Sequence, residues 1–513
     1  MNIKINKLSN IVIMFFSLFA ISLPFHAIEY DLFGLSRFEI KITMITFILL
    51  FIVWLLLIQI NRISYRKNEL IIYSLAFIYV CSQYLSLVNS AFPIESFRQS
   101  IIITCLATMM IICSQMVIGR ETAHYVIISM AFACIIVSSA SLILHYFFNN
   151  VQRLGQVGDI PFSISRGDPT FFGDIILYGL GPFYYVVFIF CSNKLSLITI
   201  PFQIILFFTF ANTHSKGVLL SVLVFFIVSI LFLKGKRLFM MFSCVLFLVV
   251  TIVNVTLKQN ILSQIHEPRI QASVDDFQHS FLGESNHIEQ NTFLKKQRHP
   301  PNHMQRKKSF KIALPEEAPT IIQIFFESLQ LPIFQAENTS RLSLNKIGLY
   351  SYDIRLKAME VSLINSFSNI WFGNGAGTSQ ILLPKMANEY DKTIGINSAK
   401  YNYMVHGGTI GEPAHNDVSM TDSHNVFLTE FFNVGIIGST SLLLMICLIL
   451  YEQIKVIRKN NNKNIILNVL LFATLLSMLT HRMTASFVVI PFLWFILGLN
   501  LGIIRLPFSS QER

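Results

Sequence analysis

The residues with most capacity for chemistry lie in Thr421-Asp-Ser-His-Asn-Val-Phe-Leu-Thr-Glu-Phe-Phe-Asn-Val-Gly-Ile-Ile-Gly438, where a histidine opens a long apolar run. Asp422 or Ser423 carries the side-chain oxygen of an N-cap, so the spacing predicts a helix whose first turn holds His424. The positive end of a helix disfavours imidazolium, which leaves the ring neutral near pH 7 and able to accept a proton as a general base. Asn425 follows it directly. On a straight helix Gly435 lies about 20° around the axis from His424, and Gly438 about 40° the other way. Both glycines then share the histidine's face, where small residues let a second helix pack closely and fix its rotation. A histidine capping an ordinary small-residue seam fits this helix equally well. Glu430, about 9 Å further along the same helix, is an intramembrane carboxylate and so a functional candidate, with Lys216 or Arg482 as candidate partner. His406, Glu412, His415 and Asp417 crowd the preceding segment, but their spacing fits no compact ligand motif. No metal or other cofactor is expected.

These groups must be positioned by a chain that is 53% hydrophobic and 13% charged, with 47 phenylalanines in 513 residues. A soluble protein cannot hide that much apolar side chain, whereas lipid as solvent removes the difficulty. Apolar runs of roughly 17–25 residues recur along the chain, each long enough to cross a hydrocarbon core as helix. Period-two alternation of a barrel is absent. The expected fold is an all-α integral membrane protein of about twelve transmembrane helices. The expected spans are 10–28, 38–60, 70–91, 100–118, 123–147, 171–191, 195–213, 217–233, 238–257, 426–451, 464–480 and 484–504.

Charge sets the expected orientation. Lys4 and Lys7, the cluster Arg62, Arg66 and Lys67, the cluster Lys234, Lys236 and Arg237, and the cluster Lys455, Arg458, Lys459 and Lys463 all fall on one side. The positive-inside rule makes that side cytoplasmic, with both termini on it. The first apolar run lacks a small-x-small cleavage site around Pro24 and reads as a span rather than a signal peptide. The net charge of +11 is largely these clusters. No basic stripe interleaved with aromatics and no zinc spacing supports a nucleic-acid partner. All seven cysteines fall inside apolar runs and read as small buried hydrophobes.

Residues 1–257 are thus expected to form nine spans and residues 424–513 three more. Between them, 258–423 is one long polar loop placed on the periplasmic side by parity. Its first part, 259–345, is rich in Gln, His, Asn and Lys and reads as a variable insert. Its second part, 346–423, holds the chemistry-bearing residues.

His424-Asn425, nine residues, Gly435, two residues and Gly438 resembles the signature of bacterial O-antigen ligases, shared with protein O-oligosaccharyltransferases and related to O-antigen polymerases. The resemblance implies a polytopic enzyme with a large periplasmic loop before the helix bearing the histidine. It implies transfer of a glycan from polyprenyl diphosphate to an acceptor hydroxyl without metal or nucleotide sugar, in the bacterial inner membrane. His424 would be the catalytic base. Asp353-Ile-Arg355 and Asn369-Ile-Trp-Phe-Gly-Asn-Gly-Ala-Gly377 are similar to a second family stretch, which makes Arg355 the diphosphate-binding arginine. Gly373, Gly375 and Gly377 have the look of a phosphate cradle, but no strand–helix frame surrounds them and a tight turn is the better reading. Thr213-His-Ser-Lys-Gly217 resembles a third stretch, where family members usually carry Ser-Arg-Gly. Lys216 keeps the charge of that arginine and gives up its bidentate geometry. Arg482 could supply the missing guanidinium, although an interface anchor at a helix end is the plainer reading. Arg153 belongs to a stretch, 153–173, that loosely resembles a cavity-lining loop of the family. The resemblance is strong over 353–438 and patchy over 150–220. It leaves three acceptors open: lipid A–core for a ligase, a glycan repeat for a polymerase, or a protein. A transporter or flippase of about twelve spans is the reading from another class.

Overall fold

The computed structural model describes residues 2–25, 29–31, 39–60, 66–148, 169–190, 199–213, 215–256, 359–379, 381–383, 423, 425–459, 465–483 and 490–506. Nearly all belong to one compact unit made of Met1–Val250 and Leu314–Arg513. The insert 259–345 lies outside the described residues.

The described chain is helical apart from a small ribbon. The helices are α1 (Asn2–Ser22), α2 (Ile42–Gln59), α3 (Lys67–Leu85), α4 (Pro93–Met116), α5 (Arg120–Phe148), α6 (Pro169–Phe190), α7 (Ile200–Asn212) and α8 (Lys216–Phe232). Next comes α9 (Lys234–Thr256), whose first turn is 3-10. A short helix, α10, covers 359–366. The last three are α11 (Val426–Lys459), α12 (Ile465–Arg482) and α13 (Pro491–Arg505). Between α1 and α2 the strands β1 (Glu29–Asp31) and β2 (Glu39–Lys41) pair antiparallel, with Tyr30 opposite Ile40.

Among the described residues, nine helices are long and apolar enough to cross a membrane. Three of the expected spans, α7, α8 and α13, are shorter apolar helices of 13, 17 and 15 residues. Other boundaries differ because hydropathy marks the lipid-covered stretch, whereas helical hydrogen bonding continues into polar ends. α4 begins at Pro93 rather than 100, with proline in the first turn where its missing N–H costs nothing. α11 continues to Lys459 rather than 451, carrying Lys455 and Arg458 as helical residues.

Burial divides the helices by role. α13 is buried on every side from Phe492 to Ile504, the mark of a helix at the centre of a bundle. α2 and α9 instead present outward apolar rows, Ile45, Ile48 and Ile52 on one and Met241, Val245 and Val249 on the other. Apolar surface of this extent is what lipid-facing helices display. The principal pairs are α11 on α3, α12 on α8 and α6, α13 on α4, and α5 on α6 and α1. Close approach depends on small residues: a Cβ on Gly181 of α6 would meet Thr474 of α12, and one on Gly498 of α13 would meet the Met110 carbonyl of α4. Polar side chains inside the bundle find partners across helices, as with Trp54 donating to Gln115 at 2.6 Å and Ser477 to the Ser221 carbonyl at 2.7 Å. Unpaired, such groups would each cost a few kcal/mol in a medium without water, on the order of 2–7.

Candidate functional site

The cap of α11 falls two or three residues later than expected. It is Asn425, whose Oδ1 accepts from the N–H groups of Phe427 at 3.0 Å and Leu428 at 3.2 Å. Ser423 is fully buried, donating to the Asn425 carbonyl at 2.9 Å and sharing a hydrogen bond with Thr429 at 2.7 Å. Asp422 and His424 lie outside the described residues. Of the neighbours of position 424, Ser423 and Asn425 are both hydrogen-bonded.

The helix is not straight. Gly435 has φ 68° and ψ −169°, a conformation open almost only to glycine, and breaks α11 two and a half turns in. The angular projection of the two glycines onto one straight face does not survive this break. What approaches Gly435 is backbone rather than another helix: a Cβ there would lie 2.4 Å from the Trp371 carbonyl oxygen. Gly438, beyond the break, lies against Ser82 of α3.

The break is filled by the turn that follows α10. Ile436 cannot donate to its helical partner Phe432 and donates to the Ile370 carbonyl at 2.7 Å. The freed carbonyls are taken in exchange: Phe432 accepts from Asn374 N–H at 2.9 Å, and Asn433 accepts from Gly375 N–H at 3.0 Å. The Asn433 side chain accepts from Ser379 N–H at 3.1 Å. Irregular backbone at membrane depth is tolerated only when protein satisfies it in this way. Gly373, Gly375 and Gly377 all have positive φ, as a tight turn requires. The four successive N–H groups from Gly373 to Ala376 are spent on Asn369, Phe432, Asn433 and Ser86, so the turn cannot cradle a phosphate. Its far side rests on the 3-10 turn after α3, Ser86–Asn89, where Asn89 donates to the Gly373 carbonyl at 3.4 Å.

Glu430, just above the break, is buried, and its carboxylate accepts from Tyr79 at 2.6 Å and Gln83 at 3.1 Å. These α3 residues, and not Lys216 or Arg482, are its partners among the described contacts. Tyr79 in turn stacks on Trp494 of α13, with ring centroids 6.0 Å apart.

Arg482 is not an exposed anchor. It is 1% exposed and pairs with Asp174 of α6, whose other oxygen contacts His481 Nδ1 at 2.7 Å. Its neighbour Met483 receives a weak 3.9 Å hydrogen bond from the Asn425 amide, which ties the end of α12 to the start of α11. Lys216, exposed, is the first residue of α8 behind the cap Ser215, whose hydroxyl accepts from Val218 N–H. Arg355 and Arg153 lie outside the described residues, as do His406, Glu412, His415 and Asp417. Among the described residues no group of three or more His, Cys, Asp or Glu is placed to hold a metal ion.

The starts of α4, α6, α8 and α11 and the ends of α3 and α12 thus meet at one end of the bundle. They bring Asn425, Arg482, Lys216 and the glycine turn to that end. Sequence reasoning missed Asp174, His481 and Asn433. Asp174 is the one charged residue in the apolar stretch 171–191, and that was a usable signal. Asn433 gave none, because its role depends on a turn 54 residues away. Compared with models of known protein families the chain matches none, and no curated protein matches it.

Proposed function

We propose that the chain is a metal-independent, inverting glycosyltransferase of the bacterial inner membrane, acting on a polyprenyl-diphosphate-linked glycan, with lipid A–core as acceptor in the manner of an O-antigen ligase. The observation that carries this reading is the docking of the turn 369–379 into the break at Gly435. The two stretches that resemble the family are far apart in sequence, and they form one hydrogen-bonded unit. A small-residue packing seam without chemistry needs no such brace.

In this reading the twelve spans include α7, α8 and α13, both termini are cytoplasmic, and the loop 258–423 with the active site is periplasmic. Arg355 and Lys216 hold the donor's diphosphate, with Arg482 as a further guanidinium and Arg153 lining the cavity. His424 takes the proton of the acceptor hydroxyl while that oxygen attacks the anomeric carbon. The bond from that carbon to the diphosphate oxygen breaks, and polyprenyl diphosphate leaves with the charge that the cations stabilise. Attack opposite the leaving group inverts the configuration.

One observation favours the transporter reading: a broken span with a buried carboxylate beside the break is a common transporter device. There the freed backbone groups face a substrate, however. Here the chain's own turn takes them.

The deciding experiment complements a deletion strain with wild-type and His424→Ala protein and resolves surface lipopolysaccharide and lipid-linked glycan by size. Wild type should restore long-chain lipopolysaccharide. His424→Ala should sit in the membrane at normal abundance, form none, and leave polymerised glycan on its carrier. Core bearing a single repeat in the deletion strain would assign a polymerase instead. An unchanged ladder would move the reading to protein acceptors or transport.

A further inference from the structure

The proposed reaction needs cations held at a fixed spacing against a diphosphate, and one turn of α6 touches the supports of two of them. Asp174 is the only charged residue of its helix and is fully buried. Its carboxylate is divided: Oδ1 accepts the Nδ1 proton of His481 at 2.7 Å, and Oδ2 pairs with Arg482. Simple neutralisation of an arginine favours a fork-to-fork contact that uses both oxygens. Division of the carboxylate instead fixes imidazole and guanidinium against each other. An aspartate held in lipid for charge balance alone is costly, and intramembrane acids mark function by default.

The preceding residue makes an independent contribution. A Cβ on Gly173 would lie 2.2 Å from Val218 Cγ2, so α8 reaches α6 only because position 173 has no side chain. That contact falls two residues into the helix from Lys216. Adjacent residues of one turn therefore set the place of Arg482 and the approach of the helix that begins with Lys216.

We propose that Gly173 and Asp174, with His481 as the second hold on the carboxylate, are positioning residues that set Arg482 and Lys216 as a pair of ligands for the donor's diphosphate. This rests on the diphosphate-donor reading above. The guanidinium supplies planar, directional hydrogen bonds and the ammonium a point charge, so the two suit different oxygens of a diphosphate.

The test measures binding of farnesyl diphosphate, as a short polyprenyl diphosphate probe, to the full chain in nanodiscs, together with the melting temperature without probe. Asp174→Asn should weaken probe binding at least tenfold per folded molecule, and Asp174→Glu should recover part of the loss. Gly173→Ala should weaken it several-fold. The swap Asp174→Arg with Arg482→Asp should return the melting temperature towards wild type and leave affinity low. Wild-type affinity in Asp174→Asn, or affinity restored by the swap, overturns the proposal and leaves a merely structural ion pair. Should Asp174→Asn fail to fold, His481→Asn removes one of the two holds and carries the same expectation. A wild-type chain blind to the probe removes the diphosphate reading and this inference with it. Probe binding without any glycan transfer sinks the transferase reading alone.

Discussion

Tyr79, Gln83 and Glu430 form a buried set between α3 and α11 in which one carboxylate accepts from two neutral donors of α3, with Asn433 of its own helix as a further partner. Such sets are stable only while complete, because a donor or acceptor left alone in the interior loses its water and gains nothing. Tyr79→Phe removes one donor without changing packing volume much. It should cost about 1–3 kcal/mol, read as a lower melting temperature in detergent. An unchanged melting temperature would mean that the carboxylate finds another donor. Asn425 invites a finer test, since it both caps α11 and touches Met483. Asn425→Ala should cost about 1 kcal/mol of stability yet reduce transfer at least tenfold, because it releases the backbone adjoining His424. Asn425→Asp keeps a capping oxygen and should restore the stability. Equal, small losses of stability and transfer in the alanine variant would mean that the cap only holds the helix together.

At the scale of elements, the break in α11 and the turn that fills it exchange hydrogen bonds so completely that neither is stable alone. The glycines of the turn were legible as a turn, since three in five residues demand unusual backbone angles. The break was not legible. A glycine within a strongly apolar helical pattern fits a packing seam just as well, and only the approach of Trp371 and Phe372 shows that backbone must pass there. The two glycines of α11 should therefore respond differently. Gly435→Ala forces a side chain into a conformation costing about 1–3 kcal/mol and into the Trp371 carbonyl as well. It should expel the turn and abolish transfer, with new protease cleavage between 359 and 379 as the direct readout. At Gly438, which lies outside the break, the contacts are side chains, Ser82 Oγ and Val434, and no backbone of the turn is displaced. Gly438→Ala should loosen the seam with α3 and lower the melting temperature, yet keep the turn protected from protease. The reverse order would place the functional contact at the helix seam and not at the break.

For the molecule as a whole, hydropathy found nearly every helix, because burial in lipid writes itself into composition over twenty residues at a time. It could not reveal which helices stop short, since an apolar run reports what it touches and not how far it extends. α7, with 13 residues, is about 20 Å long and α8, with 17, about 26 Å, against a hydrocarbon core of about 30 Å. Two arrangements satisfy these lengths. Both helices cross where the bilayer is locally thin, or the pair enters and returns without crossing. The difference bears on the proposed site, which needs Lys216 on the periplasmic face. Burial of Gln203, Thr209, Asn212 and Thr213 shows that the polar residues of α7 are shielded by protein, which favours crossing by α7. In the proposed orientation, Lys234, Lys236 and Arg237 at the far end of α8 hold that end in the cytoplasm. In a cysteine-free background, Lys216→Cys should then react with a membrane-impermeant maleimide in intact spheroplasts. Lys236→Cys should react only after permeabilisation. If position 216 is reached only from the cytoplasmic side, the start of α11, which shares its end of the bundle, is cytoplasmic as well, and the proposed periplasmic site falls with it.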